Sequence, residues 1–403
     1  MVTICSALFF GACSIFEYGE EPNPLDDPNN AILVLRLGTT APSRAETTKE
    51  RMYSLRVVLL GEDGNGNFTV EYNDFVDSNK SPELFEWGNG VGNSKDELLD
   101  YSVYRLIPTK PGKKKIFLVA NEESAQSVNS SFGTGTTLSA VLGSANIGAA
   151  GFEELVNSVY FTPDYSDAEL KIIYSSVYDF EIADDALKSD TRKIDKTFWL
   201  VPAATKFDFT FDNRREEEAT IGEITISSIA EDMYLMAHVG AGEMYKQSAK
   251  DSASKYWVDW LRDVSDDTTE KPDNPDNKDV NAKYLWLTDY ELPASVKEHF
   301  MKSALTDISV SGGSKRTDLE PLYLPESKFN PGDDGFQTYA LTIKVNGVDN
   351  DFVENLPLLK TLFRNTHVKV DVRLNNKEDN VEVTLDIVVC PWDSADIELP
   401  PFD

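Results

Sequence analysis

Residues 31–60, AILVLRLGTTAPSRAETTKERMYSLRVVLL, constrain this chain more than any other stretch. In the second half of that stretch Leu55, Val57 and Leu59 alternate with Ser54, Arg56 and Val58, the period of a strand with one face in a core. The first half is apolar on consecutive residues, Ile32 to Leu35, and alternates only at Arg36 and Leu37, which suits a strand covered on both faces at one end. Between them lies a polar linker holding Ser43, Arg44 and Ala45, then Glu46 to Arg51.

The same period recurs down the chain. Gly61 to Asn67, GEDGNGN, is a turn that should join Tyr53–Leu60 to Phe68–Tyr72 as a hairpin. Asp63, Asn65 and Asn67 have the alternate spacing of a calcium loop. Phe68 stands where such a loop needs glycine, and no bidentate glutamate follows, so a bare turn is expected and no metal site is assigned. Tyr104–Ala120 should give a short strand, a turn and an apolar strand, with Lys113, Lys114 and Lys115 solvated at its start. Ser127–Gly151, rich in small and polar residues, predicts a long loop, and Phe152–Tyr160 a short amphipathic helix.

In the second half, Phe207, Phe209 and Phe211 alternate with Asp208 and Thr210, the pattern of a strand with an aromatic inner face. The polar segment Asp184 to Lys196 before it sets a domain boundary near residue 198. Ile221–Ile229 reads as another strand, and Asp263–Asn281 as an exposed loop. Val368, Val370, Val372 and Leu374 alternate with Lys369, Asp371 and Arg373, and Val381–Val389 repeats the pattern, so the two should form a hairpin. The expectation is an all-β chain: two tandem β-sandwich domains of transthyretin-like or Greek-key type, 31–197 and 198–403, with short helices in loops. At 403 residues each can bury its own core.

Charge and cysteines narrow the class. With 69 acidic against 38 basic residues, the formal net charge is −31, a field that repels phosphate backbones, so nucleic acid is not expected as a partner. Cys5, Cys13 and Cys390 cannot supply a disulfide framework. Ile4–Phe10, followed by Gly11-Ala12-Cys13, resembles the end of an export signal closed by a lipoprotein box, which makes Cys13 the candidate lipidation site. Ser14–Asn30, acidic and rich in proline, reads as a tether. Residues 1–30 are thus leader and tether. His238, His299 and His367 are isolated, and a histidine at a strand start such as His367, beside Arg364, is expected to serve as a structural hydrogen-bonding group. No Ser-His-Asp order, ligand cluster or phosphate-binding loop appears in the sequence, so no enzyme activity and no cofactor are expected.

Taken in order, the apolar first strand, the linker with Arg44-Ala45, LRVVLLGEDGN and KPGKKKIFLVANEE resemble the N-terminal domain of the Bacteroidales fimbrial subunit (fimbrillin) family. PLYLPES, the run Arg364-Asn365-Thr366-His367 and Pro391-Trp392 resemble its C-terminal domain. The resemblance implies a surface fimbria (pilus) subunit, exported as a lipoprotein to the outer membrane and cut by an arginine-specific protease after Arg44, so that Ala45 becomes the mature N-terminus. It implies that a first strand containing Ile32, Leu33, Val34, Leu35 and Leu37 is removed and that a neighbouring subunit's strand fills the groove. The possible donor is the C-terminal segment, with Ile397 and Leu399 at strand spacing before Pro400 and Pro401. A tip or accessory adhesin for a host or bacterial surface ligand is one alternative. A glycan-binding surface lipoprotein using Trp257, Trp260 and Trp286 is another.

Overall fold

The structure, a computed structural model, describes residues 27–39, 48–77, 104–127, 135–143, 148, 150–151, 160–163, 171–189, 191–226, 233–236, 301–325, 327–328, 340–346, 352–355, 361–362, 364, 366–377 and 380–391. In chain order the first strands are β1 (Ala31–Thr39), β2 (Ser54–Glu62), β3 (Phe68–Asp77), β4 (Tyr104–Thr109), β5 (Gly112–Ala120), β6 (Ala125–Ser127), β7 (Tyr160–Pro163), β8 (Tyr174–Ile182) and β9 (Lys193–Pro202). They are followed by β10 (Thr205–Asn213), β11 (Ala219–Ile226), β12 (Met233–Tyr234), β13 (Met301–Val310), β14 (Ser314–Arg316), β15 (Leu322–Leu324) and β16 (Ser327–Lys328). The last are β17 (Ala340–Val345), β18 (Phe352–Asn355), β19 (Thr361–Leu362), β20 (Thr366–Lys377) and β21 (Asn380–Pro391). The fold is all-β, and among the described residues the α-helix α1 (Leu138–Leu142) is one turn long.

Two layers make the first sandwich. One is β3-β2-β5-β8, the other β9-β1-β4, and they meet where Val201 and Pro202 of β9 pair with Ser175 and Tyr174 of β8. Alternate residues of each strand point between the layers: Leu55, Val57 and Leu59 of β2 and Ile116, Leu118 and Ala120 of β5 meet Leu33, Leu35, Ile107, Phe198 and Leu200. The second sandwich sets β14-β10-β20-β21, with β15 also on β10, against β13-β11-β17-β18. Phe207, Phe209 and Phe211 face Ile221, Ile224 and Ile226 across its core, as their alternation requires. The two sandwiches share a wiring. The first strand of each, β1 or β10, has a parallel neighbour on one side, β9 or β20, and an antiparallel one on the other.

Several expectations change. β2 is buried on both faces, because Val58 and Leu60 on its second face pack with Phe117, Val119, Leu138 and Leu142 of α1, Leu235 and Met236. Arg56 lies on that face too, and its Nε and Nη2 donate to Glu122 at 2.7 Å each, which is how a charge survives there. Burial pushes the Glu122 carboxyl above its ordinary value, and the Arg56 contacts offset this only in part. Ser127–Gly151 is not all loop: Thr137 caps α1 by accepting from the Ala140 N–H at 3.3 Å. The lysine run is not all solvated either, since Lys114 is 1% exposed and ion-paired to Glu71 at 2.8 Å, on the side where Gly61 leaves room for that pair. The end of the polar Asp184–Lys196 segment is strand, since β9 runs from Lys193 through residue 198 to Pro202. The helix expected over Phe152–Tyr160 lies outside the described residues except for Tyr160, which begins β7.

The hairpins form as read. β2 and β3 pair antiparallel across the Asp63–Asn67 turn. There Asp63 Oδ1 accepts the Asn65 and Asn67 N–H groups at 2.8 and 2.9 Å. The Asn67 amide leads the contacts that hold the Asp63 carboxyl below its usual value. This carboxylate is occupied by its own backbone, as a bare turn requires. β20 and β21 pair along their full lengths.

Candidate functional site

β1 forms six successive pairs with β4, from Ala31 opposite Thr109 to Arg36 opposite Tyr104, and a parallel ladder with β9, from Ile32 beside Lys193 to Thr39 beside Leu200. Ile32, Leu33, Val34 and Leu35 are 0–4% exposed, so the consecutive apolar run does report burial on both faces. Leu33 and Leu35 point into the core with Ile107 and Phe198, while Leu37 stands beside Phe198 in the register. Phe198 is itself fixed by tilted ring contacts to Tyr178 and Phe180 at 5.1 and 5.3 Å.

This placement has a geometric consequence. β9 runs parallel and β4 antiparallel to β1, so the slot that β1 fills is walled by strands of opposite direction. Whatever lies there forms one parallel and one antiparallel ladder. An emptied slot would expose two rows of backbone donors and acceptors above an apolar floor.

The start of β1 is tied down by a turn. Asp27-Pro28-Asn29-Asn30 closes with Asn30 N–H donating to Asp27 O at 3.1 Å, and Asp27 Oδ1 accepts the Asn29 N–H at 2.9 Å. The end of the segment expected to be tether is therefore part of the fold. Arg192 holds the turn: its Nη1 donates to Asp27 O at 2.8 Å and Asn30 O at 3.2 Å, while its own carbonyl accepts Ile32 N–H at 2.8 Å.

At the far end of the linker a 3-10 turn, Thr48–Glu50, ends on a buried carboxylate. Glu50 Oε1 receives Lys206 Nζ at 3.0 Å and Tyr323 OH at 2.8 Å, and Tyr174 OH donates to the Glu50 carbonyl at 2.7 Å. Arg364, fully buried, donates from Nη1 to Ser175 Oγ at 3.0 Å and Leu235 O at 3.1 Å. His367 Nε2 lies 2.6 Å from Asp208 Oδ2, so His367 is a hydrogen-bonding group within the fold, as expected, and Arg364 is another. Sequence reasoning missed Glu50, Lys206, Tyr323 and Arg192, because polar contacts between distant segments leave no local period. Asp-Pro-Asn-Asn did carry a turn signal.

Burial pushes the Asp208 carboxyl up, but the His367 hydrogen bond and the charges of Lys206, His367 and Lys369 outweigh it and hold the group below its ordinary value. A depressed carboxyl stabilises the fold above its unfolded value, about 3.9, and loses that contribution as pH falls through the folded value. Denaturant midpoints of the wild type and Asp208→Asn should therefore differ most between about pH 5 and 4, where an ordinary imidazole is already protonated and the unfolded carboxyl still ionised. The gap should close below that, and one unchanged down to pH 2 would contradict the assignment.

Of the other expected site residues, Cys13, Arg44, Ala45, Ile397 and Leu399 lie outside the described residues, as do Trp257, Trp260, Trp286, His238 and His299.

No protein-family model matches the sequence, and no curated protein matches it. Solved structures similar in fold include the tip fimbrial protein Mfa3 from Porphyromonas gingivalis with a C-terminal truncation, at 11% identity and a TM-score of 0.43, over 90% of this chain and 100% of that one. A fimbrial assembly protein from Parabacteroides distasonis matches at 12% identity and a TM-score of 0.39, over 89% and 98%. A candidate adhesin from Bacteroides ovatus matches at 10% identity and a TM-score of 0.42, over 90% and 94%.

Proposed function

We propose that this chain is a non-catalytic structural subunit of a surface fimbria, exported as a lipoprotein on Cys13, cut after Arg44, and joined to its neighbours by a foreign strand that takes the place of β1. The observation that supports it best is the seat of β1, enclosed between β9 and β4 with Ala31–Leu35 buried. A cut in the 40–47 linker would free β1, while the Glu50 contacts to Lys206 and Tyr323 keep the chain beyond the cut in place. Each large side chain docking in the vacated slot would contribute roughly 1.5–3 kcal/mol before ordering costs. In this reading leader and tether end before the Asp27–Asn30 turn, the first domain closes with β9 and the second opens with β10, and the donor is a neighbour's C-terminal segment with Ile397 and Leu399.

The test is the N-terminus of the protein recovered from fimbriae at the cell surface, read by mass spectrometry together with any acyl group. Ala45 at the mature N-terminus is expected, and polymer retaining residues 31–44 would overturn the reading. Pro400 and Pro401 favour a second reading, because they shorten what a donor strand can insert. In that case the chain is a tip or accessory adhesin, and deleting residues 393–403 leaves its incorporation intact, whereas a stalk subunit so shortened stops polymerising.

A further inference from the structure

We infer that Arg192 is the latch on β1, the residue that sets how slowly the leading strand departs once the linker is cut; this rests on the reading that β1 is exchanged. Two turns meet at the start of β1. One is Asp27–Asn30; the other closes with Arg192 N–H on Ser189 O at 3.2 Å. Arg192 bridges them with its guanidinium on Asp27 O and Asn30 O and its carbonyl on the Ile32 N–H. Its backbone is left-handed, φ 48°, a conformation costly for a residue with a side chain. The strain aims the carbonyl at Ile32 and the side chain back across the turn, so one residue grips the leaving segment at three points, two on the turn and one on the first rung of the ladder with β9.

The grip lies at the end of β1 opposite the linker. A cut in 40–47 frees Thr39 first, and peeling that starts there must still break the Arg192 contacts before the segment comes away. The ladders with β4 and β9 and the buried side chains supply most of the hold, and they are shared by any strand of similar pattern. The two guanidinium contacts of Arg192 are specific to the turn that precedes β1. An incoming strand without an equivalent turn does not make the guanidinium contacts, so the latch distinguishes the chain's own strand from a replacement.

The test uses the full chain with a specific protease recognition sequence placed in 40–47. After cutting, excess synthetic peptide of residues 31–39 is added, and loss of the N-terminal fragment is followed by gel filtration with mass spectrometry. Asparagine tolerates a left-handed backbone and is too short to bridge the turn, so Arg192→Asn should shorten the fragment's half-time about tenfold, the loss of two charge-assisted hydrogen bonds at a partly exposed site. Arg192→Lys, a single point charge, should fall between. Hydrogen exchange at Val57–Leu59 and Ile116–Leu118, in the layer of the first sandwich that does not contain β1, unchanged from wild type verifies that each variant is folded. If the fragment leaves all three proteins at rates within twofold of one another, the latch is wrong and β1 exchange stands. If it leaves none of them, β1 is not exchangeable and both readings fall.

Discussion

Leu33→Ala and Leu35→Ala should each lower the free energy of unfolding of the uncut protein by about 2–5 kcal/mol. Both side chains are fully buried between the layers, beside Ile107 and Phe198, so truncation loses transfer energy and leaves a cavity that two paired strands cannot collapse to fill. Leu106, on the neighbouring β4 but 42% exposed, is the control, and Leu106→Ala should stay within about 0.5 kcal/mol of the wild type. Denaturant unfolding of the three variants reads both effects. In protein cut in the linker the same two truncations should speed loss of the leading fragment, because the energy they remove belongs to the departing strand. Little destabilisation from either would mean that β1 adds little to its sandwich, and the proposed exchange would lose its driving force.

Glu50→Ala should cost about 3–5 kcal/mol, the penalty for leaving one member of a buried pair behind. Lys206, 1% exposed, would keep its ammonium with Asp208 Oδ2 at 3.8 Å as the next carboxylate among the described residues. Replacing both, Glu50→Leu with Lys206→Met, should recover most of the loss, since an apolar pair leaves no stranded charge. The cycle separates the pair from its surroundings: the double variant must be more stable than Glu50→Ala alone. Glu50 belongs to the first half of the chain and Lys206 and Tyr323 to the second, so the same variant should raise hydrogen exchange at both Tyr174 and Tyr323.

What the sequence made legible follows from what leaves a period. The phenylalanines of β10 and the valines of β20 alternate because one face is core and the other is not, and both strands form where that alternation lies. The consecutive run Ile32–Leu35 correctly signalled burial on both sides. β2 misled for the opposite reason: Ser54 and Arg56 gave it a polar face by composition, yet Asn73, Glu122 and Glu123 satisfy those groups within the fold. Lys114 misled likewise, since its partner Glu71 lies 43 residues away in sequence. The placement of β1 beside β9 was not readable at all, because parallel pairing across more than 150 residues is decided by packing alone.

β4 meets its sheet through β1 and no other ladder among the described residues. With β1 gone, what steadies β4 is Ile107 in the core and the Thr109 hydroxyl donating to Glu71 at 2.7 Å, both toward one end. An emptied subunit is then a hinged jaw rather than a rigid trough, fast at the Thr109 end and loose at Tyr104. If β1 is exchanged as proposed, the old ribbon yields first at its Thr39 end, beside the loose side of the jaw, and a replacement can follow it rung by rung towards Thr109, so the jaw never has to stand open along its whole length.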